Sequence, residues 1–215
     1  MKQHNPAIRG LYAITPDLAD TDRLCRMVQA SIIGGAGIVQ YRNKTADPIL
    51  RIAQAKALLE ICREQGAKLI INDHLKLCLA LDADGVHVGS DDFSEDGAKT
   101  LAAVRERMGE KIVGVSCYNR VSLAQQAALQ GADYVAFGAC FPSGTKPDAV
   151  KAELSLFKEA AGLVDIPLVG IGGITLGNAA SVIEAGADAI AVINALWNSD
   201  DIEHTARQFS ALFPH

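Results

Sequence analysis

The chain has 215 residues, of which 49% are hydrophobic and 21% charged, and it contains 19 glycines and five cysteines. This composition excludes disordered, collagen-like and disulfide-scaffold proteins, and the length suffices for one sizeable core. A net charge of -5 argues against nucleic acid or an anionic membrane as a partner, because both need clustered Lys and Arg. The odd cysteine count, with no C-x-x-C pair, and an N-terminus without a signal-peptide core predict a cytoplasmic protein.

Eight short apolar runs of strand length alternate with Ala- and Leu-rich segments of helical spacing. The predicted strands begin at Leu11, Ile38, Lys68, Gly85, Ile112, Tyr134, Pro167 and Ala189. The clearest helical segments are 22–33, 47–65, 122–130, 176–185 and 201–213. Near-continuous hydrophobicity is typical of strands buried on both faces of a parallel sheet. Small or acidic pairs precede five of the strands, and their first residues are predicted to end a helix: Gly35, Gly66, Asp82, Gly131 and Gly186.

The repeated β-α order predicts a closed (β/α)8 barrel, because strand 8 can pair with strand 1 and leave no edge. An open doubly wound sheet is the alternative, but no G-x-G-x-x-G follows the first strand. We therefore predict an α/β protein with a single (β/α)8 TIM barrel over residues 1–215. Its active site is expected at the C-terminal ends of the strands.

Cationic side chains follow strands 2 and 6. Gln40, Arg42 and Lys44 alternate at the end of strand 2, so their side chains are expected to project together toward the barrel mouth. Lys146 lies between two prolines in the loop after strand 6. A solvated loop with exposed cations is the alternative. Taken together, these residues indicate an anion-binding site.

Two carboxylates, Asp73 and Asp92, follow the neighbouring strands 3 and 4. They would repel each other unless a cation lies between them, and Mg2+ typically takes one or two protein carboxylates plus phosphate oxygens. The alternative for Asp73 is to cap the helix that begins near Leu75. We favour a Mg2+ site.

A glycine-rich run, 170–175, follows strand 7, where many barrels bind a phosphate, and Ile193 and Asn194 follow strand 8. This position favours a phosphate site over the alternative, in which the glycines only relieve crowding at a turn. His87 lies inside strand 4 and is predicted to be a structural, hydrogen-bonded residue. Cys117 and Cys140 are predicted to be small apolar residues.

Six motifs carry a family resemblance over nearly the whole chain. They are Q-Y-R-N-K at 40–44, I-N-D at 71–73, G-V-H-V-G-S-D-D at 85–92, G-V-S at 114–116, F-P-S-G-T-K at 141–146 and G-I-G-G-I at 170–174. On these motifs the chain resembles the thiamine-phosphate synthase family, although it differs from the usual pattern at Ser90, Ser143 and Asn194. The resemblance implies a (β/α)8 barrel that joins hydroxymethylpyrimidine diphosphate to hydroxyethylthiazole phosphate and releases diphosphate with the help of Mg2+.

The resemblance also implies roles for individual residues. Pyrimidine diphosphate is expected at Gln40, Tyr41, Arg42, Asn43, Lys44, Asn72, Ser116 and Lys146, of which Arg42, Lys44, Ser116 and Lys146 are the expected catalytic residues. Thiazole phosphate is expected at Ser143, Gly144, Thr145, Gly173, Ile193 and Asn194, and Mg2+ at Asp73 and Asp92. The implied substitution is dissociative, so it needs positioning and electrostatics rather than a strong base.

Two alternatives use the same barrel: a thiazole tautomerase-like paralogue, and a non-catalytic binder of thiamine phosphate. The diphosphate and metal residues favour the synthase over both. The expected partners are the two small-molecule substrates, with a homodimer as the default oligomer.

Overall fold

A computed structural model of the chain describes residues 8–89, 100–142 and 150–213. Eight parallel strands pair in chain order, and β8 pairs with β1 to close the barrel. The predicted barrel is confirmed and the open sheet is excluded. The strands are β1 (Gly10–Ile14), β2 (Ile38–Tyr41), β3 (Lys68–Asn72), β4 (Gly85–Gly89), β5 (Ile112–Tyr118), β6 (Tyr134–Phe137), β7 (Leu168–Ile171) and β8 (Ala189–Val192).

Helices surround the barrel. In the described ranges they are α1 (Thr21–Ile33), α2 (Pro48–Gln65), α3 (Leu75–Leu81), α4 (Leu101–Met108), α5 (Val121–Leu129), α6 (Ser155–Ala161), α7 (Ala179–Glu184), α8 (Asn194–Trp197) and α9 (Ile202–Ser210). The segment 176–185 is helical only from Ala179, because the Asn178 side chain holds a turn by bonding Thr175 N and Gly173 O. Helix α9 covers Ile202–Ser210, so it ends three residues before the predicted segment does. In these ranges no helix is both long and apolar enough to cross a membrane.

The five predicted helix ends share one conformation. Gly35, Gly66, Asp82, Gly131 and Gly186 all have positive φ. The alanine after each of them donates its N–H to a carbonyl five residues earlier, as Ala67 does to Cys62 O at 2.9 Å. This bonding pattern reverses the chain toward the next strand, as the sequence pattern predicted.

The strands are buried on both faces. One apolar core lies between the strands and the helices, and a second, smaller core fills the barrel interior with residues such as Ile38, Ile70 and Val169. Tyr12 and Tyr134 belong to the interior core. Gly114 makes room for Tyr134, because a Cβ at this position would overlap the tyrosine ring.

Three aspartates close the N-terminal end of the barrel. Asp84, Asp133 and Asp188 immediately precede β4, β6 and β8, and each carboxylate accepts a backbone N–H from the preceding strand. The three distances lie between 2.7 and 2.9 Å. Because these N–H groups lie where the sheet ladder begins, the carboxylates satisfy donors that would otherwise be buried without partners.

Candidate functional site

The loop after β2 carries two cations toward the C-terminal end of the barrel. Thr15 fixes this loop, because its hydroxyl accepts from Arg42 N at 2.8 Å and donates to Arg42 O at 2.9 Å. Asp17 accepts from Lys44 N at 2.8 Å and lies 3.6 Å from the Arg42 guanidinium. The Arg42 side chain is 17% exposed, whereas Lys44 is exposed. The backbone is therefore held firmly while both cationic groups stay near the surface.

Tyr41 and Asn43 point their side chains away from these cations. The Tyr41 hydroxyl donates to Gln54 Oε1 at 2.9 Å, and Asn43 Nδ2 donates to the same oxygen at 3.0 Å and to Leu18 O at 2.9 Å. Burial raises the pKa of Tyr41 to about 12. Both side chains are committed to holding the loop against α2. A ligand contact from either residue therefore falls to its backbone.

Asn72 and Asp73 lie at the end of β3. Asn72 Nδ2 donates to Asp73 Oδ2 at 2.6 Å, and Asp73 N donates to His87 O at 2.9 Å. Asp73 has a φ of 62°, a left-handed conformation that Asp tolerates better than most residues. The N-cap of α3 is His74, which makes no capping bond through its side chain. The helix begins at Leu75 as predicted, but Asp73 does not occupy the capping position.

These residues line one cavity of about 210 Å³. Its walls are Tyr41, Arg42, Asn43, Lys44, Arg51, Asn72, Asp73 and His74. Arg51 in α2 was not predicted as a site residue, because a lone arginine in a helical segment is typical of an exposed surface charge. Arg51 Nη2 donates to Ala46 O at 2.8 Å, whereas its buried Nε has no hydrogen-bond partner in the described part of the chain. Arg51 therefore adds a third cation to the cavity.

The glycine run after β7 packs closely on the loop after β6. Phe141 N donates to Gly172 O at 3.0 Å, and a Cβ at Gly173 would overlap the carbonyl oxygens of Phe141 and Pro142. Gly173 has a φ of 61°. Ile193 is the N-cap of α8, which begins at Asn194. Since β7 and β8 are neighbours in the barrel, the candidate phosphate residues of both loops lie at the same end.

A chain of hydrogen bonds crosses the barrel interior. Gln40 Nε2 donates to the Tyr12 hydroxyl at 2.7 Å, which lies 2.7 Å from the Tyr134 hydroxyl. His87 Nδ1 lies 2.9 Å from the Tyr134 hydroxyl, and its Nε2 lies 2.8 Å from Ser116 Oγ. We call these five side chains the interior relay. The hydrogen-bonded role predicted for His87 is confirmed, whereas Tyr12 and Tyr134 could not be told from apolar strand residues in the sequence.

Burial determines the ionisation of the titratable groups in the interior. Desolvation lowers the pKa of His87 to about 4 and raises the pKa values of Tyr12 and Tyr134. Cys117 and Cys140 are also buried, and burial raises their thiol pKa values to about 12 and about 11. Both cysteines therefore remain protonated near neutral pH, which agrees with the apolar role predicted for them.

Several predicted site residues lie outside the described ranges: Asp92, Ser143, Gly144, Thr145 and Lys146. Within the described ranges, no group of three or more His, Cys, Asp or Glu side chains could hold a metal. Asp73 nevertheless lines the cavity, and its carboxylate is the kind of hard oxygen donor that Mg2+ binds. This donor chemistry fits Mg2+ with Asp73 as one protein ligand.

Three comparisons with known proteins agree with one another. Residues 11–196 match the family model described as thiamine monophosphate synthase. The chain is 56% identical over 215 residues to thiamine-phosphate synthase of Methylobacillus flagellatus, covering 99% of this chain and 100% of that protein. It is 48% identical over 207 residues to that of Nitrosomonas eutropha, covering 96% and 95%. Thiamine phosphate pyrophosphorylase from Pyrococcus furiosus has a TM-score of 0.85 at 31% identity, with 97% of both chains covered.

Proposed function

The chain belongs to the thiamine monophosphate synthase family, and from this premise we propose that it joins hydroxymethylpyrimidine diphosphate to hydroxyethylthiazole phosphate, giving thiamine phosphate and diphosphate. The observation that carries the proposal is the cavity at the ends of β2 and β3. There Arg42, Lys44 and Arg51 share walls with the Asp73 carboxylate. Such a cavity suits a ligand that is strongly anionic and accompanied by a divalent cation.

The diphosphate is the leaving group, and its negative charge grows as the bond to the pyrimidine methylene breaks. Thr15 and Asp17 hold the backbone N–H groups of Arg42 and Lys44, so the backbone from which each cation extends is fixed before the reaction begins. Preorganised charge of this kind stabilises a transition state because nothing must reorganise when the bond breaks. Arg51 adds to the same potential, and Lys146 is proposed to do so from the loop after β6.

Mg2+ is the proposed cofactor, and Asp73 and Asp92 are the residues that would hold it. When bound, it supplies further neutralisation of the departing diphosphate. Asn72 orients the Asp73 carboxylate through the 2.6 Å hydrogen bond between them. Asp73 N is held by His87 O, which fixes the backbone from which the carboxylate projects.

The pyrimidine ring is proposed to lie deeper in the barrel, against Gln40 and Ser116. As the carbon–oxygen bond to diphosphate breaks, its electron pair leaves with the diphosphate and the electron-rich aminopyrimidine carries the transient positive charge at its methylene. The thiazole nitrogen then forms the new carbon–nitrogen bond with its own lone pair. No proton needs to be removed in this substitution, so the protein contributes positioning and electrostatics.

The thiazole phosphate is proposed to bind where the loops after β6, β7 and β8 meet. Gly173 presents its backbone there without a side chain, and Ile193 and Asn194 offer backbone N–H groups at the start of α8. Ser143, Gly144 and Thr145 are proposed to complete this subsite. β6 and β7 lie across the barrel from β2 and β3, so the two phosphorylated substrates are proposed to bind to different loops.

The decisive experiment incubates the purified protein with both substrates and Mg2+ and measures thiamine phosphate by mass spectrometry. We expect thiamine phosphate and diphosphate in equal amounts, and neither when one substrate is left out. A protein that binds thiamine phosphate but forms none from the two substrates would be a non-catalytic binder. Undiminished turnover in excess chelator would remove Mg2+ from the proposal. A cytoplasmic location and a homodimer stay predictions.

A further inference from the structure

The interior relay links two residues that face the proposed pyrimidine. Gln40 on β2 and Ser116 on β5 are its ends, and Tyr12, Tyr134 and His87 connect them through four contacts of 2.7 to 2.9 Å. Within residues 8–89, 100–142 and 150–213, the relay supplies the only side-chain hydrogen bonds of these two ends. Each end therefore keeps hydrogen-bonding capacity that the described protein does not use.

Packing holds the relay in one geometry. The rings of His87 and Tyr134 stack with their centroids 5.6 Å apart, and the Tyr12 ring meets that of Tyr134 edge-on at 5.9 Å. Gly114 lies beneath the Tyr134 ring, where any side chain would collide with it. Such close packing prevents the hydroxyl groups from finding other partners.

The hydrogen bond from Gln40 to Tyr12 determines which group donates in each of the other hydrogen bonds of the relay. An amide nitrogen can only donate, so the Tyr12 oxygen accepts from Gln40 and its single hydrogen goes to Tyr134. The Tyr134 hydrogen then goes to His87 Nδ1, which leaves the ring hydrogen on Nε2. His87 Nε2 donates to Ser116 Oγ, so the Ser116 hydrogen is directed to a partner outside the relay.

We propose that Tyr12, Tyr134 and His87 are positioning residues that make Ser116 a hydrogen-bond donor and Gln40 Oε1 an acceptor toward the substrate, and so select an amino-substituted pyrimidine over its oxo analogue. An aminopyrimidine offers a ring nitrogen that accepts and an amino group that donates. The oxo analogue offers a ring N–H and a carbonyl, which is the opposite pattern. The identity of the ligand rests on the proposed function, whereas the direction of the relay does not.

The reverse direction is chemically consistent as well, and it defines the competing outcome. If Gln40 presented its oxygen to Tyr12, donor and acceptor would exchange roles in every hydrogen bond of the relay, and His87 would carry its hydrogen on Nδ1. Ser116 would then donate to His87 and accept from the substrate. The ring tautomer of His87 therefore reports the direction of the whole relay.

The first experiment reads this tautomer by 15N NMR of the histidine rings in the full chain at neutral pH, with the His87 signals assigned by their loss in His87→Gln. We expect the hydrogen on Nε2. A hydrogen on Nδ1 would overturn the proposal. This measurement needs no substrate, so it decides the direction of the relay even if the protein forms no thiamine phosphate.

The second experiment breaks the relay with Tyr134→Phe and measures the dissociation constants of the amino- and oxo-pyrimidine diphosphates. Loss of the one hydroxyl that fixes the tautomer is expected to lower the preference for the amino compound about tenfold, the effect of one directed hydrogen bond. Ser31→Ala is the matched control. It removes a buried hydroxyl that donates to Val28 O at 2.8 Å within α1, and we expect the preference to be unchanged.

Unfolding midpoints of both variants separate loss of the relay from loss of the fold. If Tyr134→Phe does not fold, Tyr12→Phe interrupts the same relay one contact nearer Gln40 and is expected to reduce the preference in the same direction. A folded variant that keeps the wild-type preference would overturn the proposal. Failure of the wild type to form thiamine phosphate would count against the proposed function and not against the relay.

Discussion

At the N-terminal end of the barrel, three aspartates accept backbone N–H groups, whereas at the C-terminal end Asp73 shares a cavity with Arg42 and Lys44. Both ends carry carboxylates and cations, since Lys68 pairs with Asp84 and Arg105 with Asp133 at the N-terminal end. At the N-terminal end, the hydrogen bonds of these charged groups satisfy backbone groups in the turns and at the start of the strands. At the C-terminal end the backbone is held by neutral groups and Asp17, and the Arg42 and Lys44 side chains line the cavity in which we propose that the diphosphate binds. The two ends therefore differ in what their charged groups bind, and not in whether they carry charge.

The largest expected effect comes from removing a cation at the C-terminal end. Arg42→Ala is expected to lower kcat/KM about 100-fold, because one preorganised group that stabilises developing charge is lost. Its ion pair with Asp17 spans 3.6 Å near the surface, so the free energy of unfolding should fall by less than about 1 kcal/mol. Steady-state kinetics and urea unfolding measure the two quantities.

Arg105 is the matched arginine at the N-terminal end, with a side chain 22% exposed. It donates to the Asp133 carboxylate and to the carbonyls of Gly109, Gly131 and Lys111. Arg105→Ala is expected to lower the free energy of unfolding by about 2 kcal/mol, because these acceptors lose their donor, and to leave kcat/KM unchanged. If both variants lost activity alike, the contrast between the two ends would be wrong.

The second prediction concerns His87, which lies between the two ends. Its pKa is about 4 in the folded protein and about 6.5 in an unfolded chain, so between these values the unfolded chain binds more protons. The stabilisation is complete above the unfolded value and is lost as the pH falls through the folded one. We expect the free energy of unfolding to drop by roughly 2 kcal/mol from pH 7 to pH 5.

Urea unfolding at several pH values measures this drop, and the His87→Gln variant provides the comparison. Glutamine does not titrate, so the variant should lose most of the drop even if its stability at pH 7 is lower. An equal drop in both proteins would mean that other groups cause it.

The third prediction uses two aspartates that flank α3 and share a left-handed backbone. Asp73 before the helix has a φ of 62°, and Asp82 after it has a φ of 57°. Asp73→Asn keeps the shape and the tolerance for this backbone, but removes a charge that a cation requires. The Mg2+ concentration for half-maximal activity should rise about tenfold.

Asp82→Asn is the matched control. The Lys111 ammonium beside Asp82, and then Arg63, hold the pKa of that carboxyl below its usual range. The variant should unfold at a slightly lower denaturant concentration while its Mg2+ requirement stays unchanged. A Mg2+ requirement that rises equally in both variants would indicate a general effect of charge.

Periodicity and turn chemistry made most of the fold predictable. Each of the eight strands lies within two residues of its predicted position, and the five helix ends adopt the expected positive φ. The aspartates before β4, β6 and β8 could not be interpreted in the same way, because their partners are N–H groups 15 to 20 residues away along the chain. A local pattern does not contain such a pairing.

Alternation along β2 predicted part of the site, and tertiary contacts determine the rest. Arg42 and Lys44 line the cavity, whereas Gln40, which the alternation grouped with them, lies in the barrel interior and bonds Tyr12. Arg51 comes from a helix, and Tyr12 and Tyr134 become polar partners only because the closed barrel brings β1 and β6 together across its interior. Such contacts between distant elements have no signature in a single sequence.

The smallest expected effect tests the glycines. Gly173 at the C-terminal end and Gly66 at the N-terminal end both have positive φ, of 61° and 74°. A Cβ at Gly173 would overlap two carbonyl oxygens of the loop after β6, whereas a Cβ at Gly66 meets no atom within 4 Å. Gly173→Ala should therefore displace the two loops and raise KM for the thiazole phosphate about fivefold, equivalent to roughly 1 kcal/mol. Gly66→Ala carries only the backbone cost, about 1 kcal/mol of unfolding free energy, and should leave KM unchanged because nothing near the site has to move.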